Sequence, residues 1–187
     1  MAAPPSITTL DLSATWVMNK ALSDETDEIL RLQGVSWFTR RAISLATITL
    51  YVRHYKDDDG IEHIDIDQKL TGIPGTSEYR ILDWTLREHE DYLFGPVIGK
   101  SRRAKLDEIE NEFLRDGWLP DTVESGVINS YVKSDTPKSS TSWIVEQTWG
   151  FENIDDERRY VRHVDFIGPG NEHIQARLVY DFYAFAS

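Results

Sequence analysis

From Thr47 onward, apolar and polar residues exchange places at every second position. Thr47–Tyr55 is β-branched and aromatic, and Ile61–Leu70 sets Ile64 and Ile66 on one face and His63, Asp65 and Asp67 on the other. Between these two runs, Asp57-Asp58-Asp59-Gly60 has the composition of a hairpin turn. Further strands are predicted over Thr76–Trp84, Leu86–Phe94, Val97–Ala104, Gly126–Lys133, Ser142–Phe151, Arg158–Phe166 and Glu172–Tyr183. Turns are predicted at Gly72–Gly75 around Pro74, at Ser134–Ser140 and at Asn153–Glu157. This steady spacing suits an all-β barrel or sandwich. With Leu10–Asn19, which carries Trp16, the strands number ten.

Helical spacing interrupts the pattern twice. Ser23–Gln33 reads as a helix with Ser23 as N-cap, Asp24 and Glu25 at its positive end, and Gly34 just past its close. Val35, Phe38, Ala42 and Leu45 then form one stripe of a second helix. Two such short helices do not fold alone and must dock on something. The later interruption spans about 105–118, where Leu106, Ile109 and Phe113 recur among acidic residues before Gly117 and Pro120 end the run. A strand, a helix pair and then only strands predict a mostly β chain. The expected fold is a ten-stranded antiparallel closed barrel, with a helix-turn-helix lid over about 23–45 and one inserted surface helix. One domain is expected over 1–187, because no linker, repeat or low-complexity tract divides the chain. Such a barrel encloses a cavity.

Composition narrows the chemistry. A net charge of −12 argues against broad contact with nucleic acid or anionic membranes, which attract positive surfaces. The chain has no cysteine, which removes disulfides, thiolate catalysis and Cys-ligated zinc, and suits a reducing compartment. No secretory signal is visible, and no apolar run approaches the ~20 residues that span a bilayer, so a cytoplasmic protein without stable membrane insertion is expected. No nucleophile elbow, phosphate-cradling glycine loop or His-Glu-x-x-His is present, so no cofactor and no metal are expected. The oligomeric state is not readable.

Several segments resemble the intracellular fatty-acid-binding and retinoid-binding proteins, within the calycin-like barrels. They are the opening Leu12-Ser13-Ala14-Thr15-Trp16, the turn Ile29-Leu30-Arg31-Leu32-Gln33-Gly34-Val35, Arg40-Arg41-Ala42 on the second helix, and Ala176-Arg177-Leu178-Val179-Tyr180 in the last strand. The resemblance implies a lidded ten-stranded barrel around one hydrophobic ligand. It also implies an arginine on the last strand, followed two residues on by a tyrosine, that together grip a carboxylate. Here Val179 stands two residues after Arg177, and Tyr180 follows one place later.

Strand faces supply the candidate ligand-binding residues. Trp143, Gln147 and Trp149 share one face of a strand, and Tyr160 and Arg162 share one face of the next. They suit either a cavity wall for a flat, oxygenated ligand or ordinary cross-strand core pairs. Arg177 either meets a ligand oxygen or closes the barrel against Trp16, because a buried arginine needs a partner. Phe38 on the lid completes the set. Arg40 and Arg41 either steer anionic ligands or solvate the lid. His63, Asp65 and Asp67 read as an acid/base cluster or a solvated outer face, and His163 with His173 is a weak metal pair. The expected function is intracellular binding of a hydrophobic small molecule of fatty-acid, terpenoid or polyketide type. The alternative is a cofactor-free isomerase or cyclase that uses the same cavity. A protein-interaction module built on the acidic inserted helix is a third class.

Overall fold

The structure is a computed structural model that describes residues 1–186. Its strands are β1 (Ala14–Met18), β2 (Ile48–Lys56), β3 (Glu62–Leu70), β4 (Ile73–Ile81), β5 (Arg87–Asp91), β6 (Gly95–Ala104), β7 (Val127–Ser134), β8 (Ile144–Ile154), β9 (Glu157–Ile167) and β10 (His173–Phe185). They form one antiparallel sheet in the order β4-β3-β2-β1-β10-β9-β8-β7-β6-β5, so β1 stitches the last strand to the second. This is the expected barrel, nearly closed. β4 and β5 are its two free edges, and side chains bridge the seam. Arg80 of β4 donates to Ser130 Oγ at 2.7 Å and Ser101 Oγ at 3.2 Å, and Arg103 of β6 pairs with Glu62 of β3.

The lid consists of α1 (Asp27–Leu32) and α2 (Trp37–Leu45). Gly34 follows α1 with φ +87°, a left-handed conformation that favours glycine, and Ser36 caps α2 by accepting from the Thr39 N–H at 3.2 Å. Ser23 is not the expected N-cap. α1 starts at Asp27, and the Ser23 hydroxyl instead bonds Asn19 and the Val179 N–H, tying the lid's entry to β10. The expected α2 stripe is also wrong. Val35, Ile43 and Ala46 are buried, whereas Phe38 and Leu45 are exposed, because the Gly34 turn rolls the helix so that Ile43 meets the barrel mouth.

The predicted turn around Pro74 lies earlier, at Thr71-Gly72, where Gly72 has φ +82°. Pro74 and Gly75 belong to β4. A sheet edge tolerates the missing proline N–H, and at Gly75 an added Cβ would collide with the Gln68 carbonyl at an irregularity in the β3–β4 register. The turn after β7 winds into α5 (Thr136–Ser139).

The inserted segment is not one helix. It breaks into a 3₁₀ turn at Leu106–Glu108, α3 (Glu112–Arg115) and α4 (Pro120–Ser125). Asn111 caps α3, and Gly117, at φ +98°, reverses the chain before α4. The segment is draped over the outside of the barrel. Ile109, Leu114 and Trp118 pack there with Val161 of β9 and Val179 of β10, so this wall is buried on both faces. Inside, one apolar cluster surrounds Trp16, Phe151, Tyr160 and Tyr180. A second lies beneath the lid around Ile29, Trp143, Val145 and Phe166.

Candidate active site

Between those two inner clusters the barrel encloses a cavity of about 390 Å³. Its lid end is apolar, lined by Ile29 and Leu30 of α1, Phe94, Val145 and Val164. Its other end is polar, built from Glu78 and Arg80 on β4, Gln147 on β8, Arg162 on β9 and Tyr180 on β10. A second concavity, of about 510 Å³, lies along the β3–β4 hairpin at Asp67, Lys69 and Ser77. It is the more open of the two and gathers no comparable set of polar groups.

Strand alternation places the polar end. Val145, Gln147, Trp149 and Phe151 of β8 point inward, as do Tyr160, Arg162, Val164 and Phe166 of β9 and Ala176, Leu178 and Tyr180 of β10. Arg162 stacks its guanidinium 3.9 Å from the Trp149 ring and donates from Nε to the Tyr160 hydroxyl at 2.9 Å. It is 7% exposed, and its Nη2 meets no acceptor among the described residues. Arg80 approaches Trp149 as well, at 5.0 Å, and grips Glu78 Oε2 through Nε at 3.0 Å and Nη2 at 2.6 Å.

The charges are settled by this packing. Burial pushes Glu78 up, but Arg80 and Arg162 outweigh it and hold the carboxyl below its ordinary range. Burial raises the Tyr160 phenol, and it lifts Tyr180 to about 12 against the pull of Arg162. Burial alone would lower the Arg162 guanidinium. Tyr160, Tyr180 and Glu78 outweigh that and leave it above its usual value. Both phenols are un-ionised near neutral pH, so Glu78 is the anion that Arg162 feels there. The polar end therefore holds two guanidinium cations against one carboxylate, beside a wall of aromatic faces.

Of the residues singled out from the sequence, Trp143, Gln147 and Arg162 line the cavity. Trp149 and Tyr160 stand directly behind Arg162, fully buried. Arg177 does not reach the cavity. It lies on the outer face of β10, its Nε 3.3 Å from Glu152 Oε2, because Ala176 and Leu178 take the inward positions on either side of it. The arginine that does point inward is Arg162, paired directly across the ladder from Leu178. Phe38 is 79% exposed on the lid's outer surface and lines nothing.

His63 is on the outside, stacked on Tyr55 with its Nε2 2.7 Å from Asp57. His163 and His173 are not neighbours. His163 is buried under the inserted segment against Glu152, and His173 pairs with Asp165. Among the described residues, no three His, Asp or Glu side chains converge as metal ligands. Arg40 is mostly buried between the two lid helices. It joins the lid helices by donating to Asp27 and to the Val35 carbonyl. Glu78 and Arg80 were not foreseen. Their spacing by two on a strand was the available signal, and it is the ordinary spacing of an exposed strand face.

No protein-family model matches the chain. Over 186 residues it is 31% identical to the probable pericyclase scpY of Mollisia scopiformis, covering 97% of this chain and 94% of that protein. The chain belongs to that pericyclase family. Pericyclase pydY of an Acremonium species is 29% identical over 185 residues, covering 97% of each chain. Among solved structures, fatty-acid-binding protein 1 of Echinococcus granulosus superposes with a TM-score of 0.56 at 16% identity, over 92% of this chain and 98% of that one. The fluorescent protein UnaG gives 0.52 at 15% identity, over 92% and 97%. At such identities the likeness is one of fold. No helix among the described residues is long and apolar enough to cross a membrane.

Proposed function

We propose that this protein is a cofactor-free cyclase, which folds a hydrophobic unsaturated metabolite inside the barrel and accelerates a pericyclic ring closure. The observation that carries this reading is the two-ended cavity, apolar beneath the lid and donor-rich at Arg162 and Gln147, in a chain whose relatives are named pericyclases. A pericyclic step moves π electrons around a ring of atoms and requires no nucleophile and no proton transfer. What a protein contributes is a folded, dry conformation of the substrate and fixed dipoles matched to the charge of the transition state. Holding a flexible chain near its reactive geometry substitutes for entropy that the free substrate must lose. The Arg162–Trp149–Arg80 stack is rigid, so its field needs no reorganisation during the reaction. The zero cysteines and acidic surface support work in the cytosol.

The barrel's likeness in fold to fatty-acid-binding proteins supports a second reading, that of a carrier. The two readings separate in one experiment. Purified protein is given a synthetic linear polyene that carries a diene and a carbonyl-conjugated alkene, and product is followed by chromatography and mass spectrometry. The cyclase reading expects a product of unchanged mass, formed in proportion to enzyme and with many turnovers. Saturable one-site binding with conversion no faster than in buffer would leave only the carrier.

A further inference from the structure

Gln147 stands at the middle of the cavity wall, and its amide has a fixed direction. The Trp149 indole N–H donates to Gln147 Oε1 at 2.9 Å, two residues along the same inward face of β8. An indole N–H cannot accept, so the amide oxygen must face it and the NH₂ must turn away. Trp149 cannot follow, because Arg162 and Arg80 clamp its ring and it is fully buried. Gln147 Nε2 donates to no atom among the described residues, and Gln147 lines the cavity. Its ladder partners offer nothing better. Val164 is apolar, and the Ser130 hydroxyl accepts from Arg80 and not from Gln147. A neutral two-proton donor is thus held in the cavity wall where the polar end, with Arg162, meets Val145 and Val164 of the apolar end.

We propose that Gln147 is a catalytic residue that donates a hydrogen bond to a neutral carbonyl conjugated with one alkene of the substrate, and that Trp149 is its positioning residue. This rests on the cyclase reading and names its substrate class, a polyene whose electron-poor alkene carries a ketone, ester or amide. The bond draws electron density from that alkene, which then accepts a diene more readily. In the cycloaddition two carbon–carbon σ bonds form as two π bonds are lost. No atom, proton or electron enters or leaves, and Gln147 keeps both amide protons. Negative charge grows on the carbonyl oxygen in the transition state, so the hydrogen bond strengthens there and raises kcat more than it lowers KM.

The test has a spectroscopic arm and a kinetic arm. Prodan, a neutral naphthyl ketone whose emission moves to the red when its carbonyl accepts a hydrogen bond, is bound to wild-type protein and to Gln147→Met. Gln147→Glu and Trp149→Phe serve as second variants, and each is checked for a native near-ultraviolet circular dichroism spectrum. Wild type is expected to show the red-shifted emission, and Gln147→Met is expected to lose the shift while still binding the probe. Trp149→Phe, which frees the amide to turn, is expected to show a mixture of both bands. On the linear substrate, Gln147→Met is expected to lose kcat by about 10- to 100-fold with KM little changed, a milder loss than removal of a full oxyanion donor. Identical emission from wild type and Gln147→Met would overturn the donor, and unchanged kcat would overturn its catalytic role. If the shift depends on Gln147 but wild type converts nothing, the cyclase reading falls and the carbonyl donor stands.

Discussion

Glu62 shows how one side chain closes the barrel's seam. It accepts from His54 Nε2 at 2.7 Å and pairs with Arg103, which also holds the Thr9 and Ser125 carbonyls. His54 Nδ1 accepts from the Leu12 N–H at 3.1 Å, so the other ring nitrogen must carry the proton that Glu62 receives. Burial pushes Glu62 up, but His54 and Arg103 outweigh it and hold the carboxyl at about 2 against an ordinary 4.5. A depressed acid stabilises the fold above its unfolded pKa, and that contribution disappears as pH falls through the folded value. Glu62→Gln is therefore expected to cost on the order of 2 kcal/mol at neutral pH, discounted for partial exposure, and almost nothing near pH 2. Urea unfolding at several pH values between about 4.5 and 2 measures the convergence; a constant difference would refute it. At this scale the sequence was a partial guide. Trp143, Gln147 and Arg162 line the cavity whereas Arg177 lies outside it, because alternation groups residues by face without telling which face is inside.

Among elements, the inserted segment behaves as an outer buttress. Thr148 Oγ1 donates to the Leu114 carbonyl at 2.6 Å, and His163 lies stacked against Trp118 with ring centroids 4.2 Å apart. Gly150 of β8 is what allows this approach. An added Cβ would stand 2.5 Å from Thr122 Cγ2 and 2.8 Å from Trp118 Cε3. Gly150→Ala is expected to destabilise by about 1–3 kcal/mol through overpacking, and Trp118→Ala by about 3–5 kcal/mol through the cavity it leaves. Denaturant midpoints at constant m-value check both. The single expected helix failed for a physical reason. Leu106, Ile109 and Phe113 do recur at helical spacing, but a segment that must follow a curved barrel wall turns at Asn111 and Gly117 rather than running straight. The same burial explains the unbroken buried run from Arg159 to Val164 on β9, where outer cover and inner core erase the usual contrast between faces.

For the whole molecule, the notable contrast is between a net charge of −12 over the chain and a cavity lined by Arg80, Arg87, Lys100 and Arg162 against Glu78, Glu88 and Asp91. A ligand that fills the interior binds only the folded chain. Prodan at a hundredfold excess over its Kd is expected to add about 2.7 kcal/mol and raise the midpoint of thermal unfolding by about 5–10 °C. A midpoint that does not move at saturation would mean that the probe binds elsewhere. Arg162→Met is expected to fold, because Trp149 and Tyr160 belong to one buried apolar cluster that an apolar side chain extends, and to remove one positive charge from the cavity. Binding of anionic and neutral naphthalene probes to the two proteins should then diverge, with only the anionic one weakened.

Read by itself, the sequence determined that this chain makes ten strands in antiparallel order behind a pair of short helices, since alternation, turn residues and helix spacing are properties of neighbouring positions. It also determined the absence of thiol chemistry. Only the tertiary structure decided which faces look inward, that Glu78 and Arg80 meet Arg162 around Trp149, and that the segment after β6 wraps the outside. Those outcomes depend on curling the sheet until strands distant in the chain stand opposite one another. Whether a residue ends in the cavity is then set by the covering on both sides of its wall, which no local pattern carries.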